Sequence, residues 1–440
     1  MGLDAAVSRL WIAALAVFCI SAAGAAQAPS GTHIGVASCA GSNCHGSNAP
    51  QPPAQGVLHN EYLTWQRDDP HAGAYRSLLT PRALEIGRRL GIADPSKSDT
   101  CVDCHADDVP ASDRGARFAL SDGVGCEACH GGASTWIVEH AQAHRSHAAN
   151  LKAGMYPTDD PQARAELCLG CHYGAADKLM THSIMAAGHP PLLFELTTYT
   201  AIQPAHYRVD ADYRQRKHYV GPADTWAMGQ AAAAARVLDT LVARGLPQAP
   251  GVVPDFYLYA CYGCHQPLQP ESDALVEGRP EAGGELPLAV DSLRMLGTIL
   301  DAGDPDLAQR WSQAMAALHL AAPADLAGDV GQLRSLTTEA AADLSKRPLS
   351  PRVCHAIALS LAQEGAHAAY SGRGFADQTV MAMTVLYHAD QEVGAASGTF
   401  GSRFPTALDS AYKALHSVSE FDEAAYRSAM QQIEKSLNNK

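Results

Sequence analysis

The 440-residue chain is short of aromatic and charged side chains, at 6% and 18% of its residues, both lean for a soluble protein of this length. Positive charge is also scarce: 32 Lys and Arg stand against 46 Asp and Glu, a net charge of −14. That balance argues against non-specific nucleic-acid binding, which needs a basic footprint. Beyond the amino end no apolar run could span a bilayer, since the best candidate, 231–243, is interrupted by Arg236 and Asp239. Strand-like alternation of useful length is missing too, so a mostly α fold with long connections is expected. The excess lies elsewhere, in 12 cysteines and 20 histidines.

Residues 1–26 carry one positive charge, Arg9, then an apolar stretch Leu10–Ile20 and small residues with A-x-A character. This is a secretory signal peptide pattern, and it places the mature chain in a periplasm. An uncleaved anchor over 10–26 is the alternative, and the one route by which the chain would associate with a membrane.

Cys19 leaves with the signal. Ten of the other cysteines form five close pairs, each followed at once by His. Four have the form C-x-x-C-H: Cys101/Cys104 with His105, Cys126/Cys129 with His130, Cys168/Cys171 with His172, and Cys261/Cys264 with His265. The remaining pair and first in the chain, Cys39/Cys44 with His45, holds four residues between its thiols. C-x-x-C-H is the attachment signature of c-type haem. Two thiols must reach two vinyl groups on one porphyrin edge, and the next residue supplies an imidazole to the iron. The longer Cys39–Cys44 loop keeps the same end points. Composition alone predicts roughly 0.015 chance matches in a chain of this length. Zinc sites need two pairs per metal, and disulfides leave the histidines unexplained. Cys354 has no spaced partner, so His355 beside it is read as packing. Five covalent haem c groups are therefore expected. Their apolar faces replace the missing aromatic core. Their propionates and ferric cores take the net charge from −14 to about −19, which favours redox partners with a basic docking surface.

The second axial position separates a wire from an enzyme. Candidates to fill it are His71, His140, His144, His147, His182, His189, His206 and His218. At helical spacing His140, His144 and His147 share a face, so at most one or two of them are ligands. Met180 and Met185 are further candidates beside His182. His319, His367 and His416 lie in haem-free helical sequence; His388 is left open.

The order along the chain suggests a four-haem domain at 31–200, a connecting helix with the fifth-haem segment at 201–284, and a helical domain at 285–440. An Ala-rich helix is expected at about 225–244 and a Pro, Gly and Glu-rich linker at 270–287. Leu293, Leu296 and Leu300, then Trp311, Met315 and Leu318, repeat at helical spacing. Pro305, Pro323 and Pro351 stand near helix starts, and 404–437 reads as two more helices.

From His45 to His172 the chain resembles the cytochrome c-554 type of multihaem protein, related in haem arrangement to hydroxylamine oxidoreductase and pentahaem nitrite reductase. The likeness rests on Trp65 followed by His71–Ala72 and Leu78, on CVDCH, on GVGCEACHGG, on His140 ten residues after His130, and on CLGCH. It implies that His71 ligates the iron of His130 and that His140 ligates the iron of His45. It also implies a five-coordinate haem, with an open sixth position, at His105. The two extra residues of the first motif, the fifth haem and the long tail depart from the family. No C-x-x-C-K attachment site is present. The leading expectation is an electron-transfer protein relaying electrons between redox partners. The alternative is an oxidoreductase acting on a small nitrogen or sulfur compound at one open haem, with Tyr199, Tyr207 and His206 as proton donors. A haem-based sensor is a third.

Overall fold

The computed structural model of the protein describes residues 31–48, 57–142, 145–245, 255–261, 265, 288–320, 325–367, 372–393, 400–415 and 421–438. The expected signal at 1–26, Cys264, His144, Pro323, His416 and the 270–287 stretch lie outside the described residues. Among the described residues the chain is mostly α. Strand structure amounts to one antiparallel ladder, Gly174–Ala175 against Lys178–Leu179, and two isolated bridges.

The first half is a string of short helices and single turns. Its apolar clusters are small: Leu78, Val102 and Ala106 form one, and Ala165, Leu169 and Leu196 another. Proline at the first turn and a side-chain cap start its longer helices. Thr80 caps Pro81–Leu90 and Asp160 caps Pro161–His172, each accepting from the third residue's N–H. His140 and His147 do not share a helix. Ile137–His140 stops, and His147–Lys152 begins anew because Ser146 caps it through the Ala149 N–H.

The second half is a helical bundle built from Asp291–Gly303, Pro305–Leu320, Leu326–Leu344, Pro351–His367, Gly372–Val393, Phe404–Ala414 and Glu423–Asn438. Pro305 and Pro351 open their helices, where a missing N–H costs nothing. The bundle has two cores. One gathers Met295, Ile299, Ile357, Leu361, Phe375, Met383, Phe404 and Ile433; the other gathers Leu293, Leu296, Leu300, Trp311, Met315, Leu318 and Leu333. Cys354 is buried in the first, and the neighbouring His355 ring meets the Leu437 carbonyl.

The Ala-rich helix runs Pro222–Thr240 and joins the halves. Trp226 enters one bundle core and Leu238 the other, while Ala232 and Ala233 lie against Ala165, Leu169 and Leu196 of the first half. Small residues permit this approach. A Cβ on Gly229 would come within 2.8 Å of Leu196 Cβ.

Candidate functional site

In the described C-x-x-C-H motifs a turn of helix delivers the histidine. CVDCH ends the helix Asp99–His105, CEACH is the helix Cys126–His130, and CLGCH ends Pro161–His172. At the fifth motif His265 N–H donates to the Cys261 carbonyl at 2.8 Å. The longer CAGSNCH loop reaches the same closure. Its extra residues fold into a turn, with Cys44 N–H donating to Gly41 O (2.8 Å), and His45 N–H then donates to Cys39 O (3.2 Å). Gly46 is needed behind it, because a Cβ there would lie 2.0 Å from Ala40 O.

Each of these five histidines faces a second imidazole. Ring centres are 6.2 Å apart for His45 and His140, 6.2 Å for His105 and His189, and 6.3 Å for His130 and His206. They are 6.0 Å apart for His172 and His71, and 6.3 Å for His265 and His182. A metal–imidazole bond of about 2 Å on each side, with each ring centre about 1.1 Å behind its nitrogen, puts two axial imidazoles about 6.2 Å apart. Among the described residues no three of His, Cys, Asp and Glu converge on one point. The imidazoles therefore meet in twos, which suits a metal whose other positions are filled by a macrocycle and not the four protein ligands of zinc. The residues present fit haem.

The pairing departs from what the resemblance implied. His71 faces His172, not His130, and His130 faces His206. The His105 ring faces a second imidazole as well, because the loop after His182–Ala186 brings the His189 ring opposite it. Arg82 and Arg89 fix that loop by donating to the carbonyls of Gly188 and Ala187. His182 and His140 stand opposite His265 and His45. His59 is a further ring, 6.4 Å from His45, held by its Nδ1 against the Cys44 carbonyl (2.6 Å) with a left-handed φ of 62°.

The far ring nitrogens are held. His45 Nδ1–H donates to Glu61 Oε2 (2.9 Å) and His71 Nδ1–H to Asp69 Oδ1 (2.9 Å). His140 donates to the Ile137 carbonyl (2.6 Å) and His189 to the Pro190 carbonyl (2.7 Å). His105 Nδ1 lies 2.9 Å from Ser77 Oγ and 3.1 Å from the Ala74 carbonyl. In these rings the contact fixes the tautomer and leaves Nε2 with its lone pair for a metal. Burial keeps several rings neutral: it pushes His130 down to about 3 and His172 to about 4, and lowers His105, His140 and His206. Burial alone would raise Asp69, but hydrogen bonds from His71 and Gln203 outweigh it and hold that carboxyl at about 2.

The motifs also touch one another. A Cβ on Gly125 would lie 2.6 Å from Val36 Cγ1, and the Cys171 thiol donates to the Asp103 carbonyl at 3.7 Å. Motifs one and three thus abut, and so do two and four. Glu127, inside CEACH and buried, locks the third motif to the segment before the first by accepting from Ile34, Gly35 and Ala133 N–H groups. Nothing in the motif pattern signals that role. Tyr199 packs on His172 at 5.4 Å, and Tyr207 stacks on Tyr213. His147 pairs with Asp159 at 2.8 Å, and His367 with Glu434 at 3.1 Å.

A mostly helical chain whose thiol-pair histidines each look across a gap at a second imidazole has the side chains that covalent haem attachment requires. Residues 38–131 match the family described as cytochrome c554 and c-prime. No curated protein and no solved structure matches the chain.

Proposed function

We propose that the chain binds five haem c groups, each iron held between two histidines, and relays electrons between redox partners. The observation that carries this is the recurrence of one spacing, 6.0–6.3 Å, between each attachment-motif histidine and one partner ring. Attachment falls to Cys39/Cys44, Cys101/Cys104, Cys126/Cys129, Cys168/Cys171 and Cys261/Cys264. Axial ligation falls to His45 with His140, His105 with His189, His130 with His206, His172 with His71, and His265 with His182. A haem bound in this way supplies a reversible one-electron iron couple. The chain's own residues hold the imidazoles, keep them neutral and seat neighbouring motifs in contact. With both axial positions filled, each site is suited to passing electrons and not to binding a substrate. The oxidoreductase reading at His105 would require His189 to leave.

The signal pattern at 1–26 supports export to the periplasm, where haem c is attached. The excess of acidic residues supports a partner with a basic docking surface. Intact mass and haem quantification of the purified protein test the count, and EPR of the oxidised protein tests the ligation. The expected result is five haems, all low-spin ferric. A high-spin component that binds cyanide or nitric oxide would favour the enzyme instead.

A further inference from the structure

Three of the five sites differ in what holds the far nitrogen of the axial rings. Glu61, with its side chain 16% exposed, accepts from His45, and Asp69, 4% exposed, accepts from His71. At the His105/His189 site the corresponding contacts are a serine hydroxyl and backbone carbonyls. A carboxylate can only accept here, so it draws the Nδ1 proton and gives the ring imidazolate character. Such a ring donates more strongly to iron and favours the ferric state. Low exposure leaves the carboxylate charge weakly screened.

Resting on the bis-histidine reading above, we propose that Glu61 and Asp69 are positioning residues that lower the reduction potentials of the His45/His140 and His172/His71 haems relative to the His105/His189 haem. The contacts between motifs turn this into a direction. The Cys171 thiol donates to the Asp103 carbonyl at 3.7 Å, so the carboxylate-tuned fourth site sits against the untuned second. Glu127 of the third motif accepts from the Ile34 and Gly35 N–H groups just before the first, so the tuned first site sits against the third. Within each abutting pair the electron is biased away from the carboxylate-bearing site. Asp69 has a second task, since its Oδ2 accepts from Gln203 Nε2 at 3.0 Å, three residues before His206. It ties the distal rings of two sites to one carboxylate.

Spectroelectrochemical titration of the haem-loaded protein tests this with Glu61→Gln, Asp69→Asn and Ser77→Asp. The first two should each move one component of the titration to higher potential and leave the rest in place. Ser77→Asp puts a carboxylate where the exposed serine meets His105 and should move one component lower. The EPR resonance of the affected haem should shift with it, which a merely structural role would not produce. Midpoints unchanged in all three variants, or shifts of the opposite sign, overturn the proposal. If a buried-site variant fails to load haem, Ser77→Asp decides alone. The wild-type spectrum separates the two levels: fewer than five low-spin haems defeats the ligation reading, whereas five low-spin haems with immovable midpoints defeats only this one.

Discussion

The assignment of His71 is the sharpest point at which the structure can be tested, because the family pattern and the geometry name different irons. In His71→Gly the imidazole 6.0 Å from His172 is removed. If five haems are held as proposed, one loses a ligand, so about a fifth of the low-spin ferric signal should give way to high-spin, and added imidazole should restore it. A stability cost accompanies the spectral change. Asp69 keeps the backbone N–H of residue 71 and the Gln203 amide, but loses the Nδ1 donor while remaining buried. An acceptor stripped of one partner in such a place costs about 1–3 kcal/mol. Thermal unfolding of the loaded protein should register that cost, and Asp69→Asn in the same background should reduce it. His206→Gly provides the assignment. If His71 and His206 serve different irons, each single variant converts about a fifth of the signal and the double about two fifths. A wild-type low-spin spectrum in His71→Gly, or a double variant no worse than one single, refutes the geometry.

Other consequences are quickly checked. His140→Gly should convert one haem to high-spin, whereas His59→Gly, whose ring is held on the Cys44 carbonyl, should leave the low-spin fraction intact by EPR. Glu127→Gln must give up at least one of three short N–H contacts, at a cost of about 1–3 kcal/mol read from thermal unfolding. In the bundle, burial pushes Asp291 up to about 6. A raised acid binds more protons folded than unfolded, so stability falls as pH climbs from about 4 to 6. Asp291→Asn should therefore gain about 1–3 kcal/mol over wild type at pH 7, since the residue keeps some solvent contact, and match it near pH 4.

What could be read in the sequence was whatever is local. C-x-x-C-H fixes a thiol pair and an imidazole within one turn, so attachment residues and near ligands are visible by eye. Even the longer Cys39–Cys44 loop follows, because its job is to deliver His45 to the Cys39 carbonyl. Apolar residues at helical spacing marked the bundle, and Leu293, Leu296, Trp311 and Leu318 are indeed buried. The far ligands are a different problem. His206 faces His130 and His182 faces His265, with no covalent or periodic rule linking their positions in the chain. Neither helix propensity nor spacing carries that information. The carboxylates behind the rings were equally hidden: Glu61 looks like any acidic residue opening a helix, and Glu127 like filler between two cysteines.

The contrast between the two halves explains why so little of the first was legible. The bundle closes on its own side chains, with Trp226, Leu238, Phe375 and Phe404 fully or almost fully buried, each contributing about 2–3 kcal/mol from burial. Among its described residues the first half has only two clusters of three buried apolar residues each, too few for its chain entropy at about 1–2 kcal/mol per residue. On the proposed reading the stabilising groups there are porphyrin faces and iron–imidazole bonds, so the determinants of that half's fold are absent from the alphabet in which the sequence is written. Hydrophobic pattern finds the bundle for this reason, and in the other half it finds only the points where the cofactor is fastened.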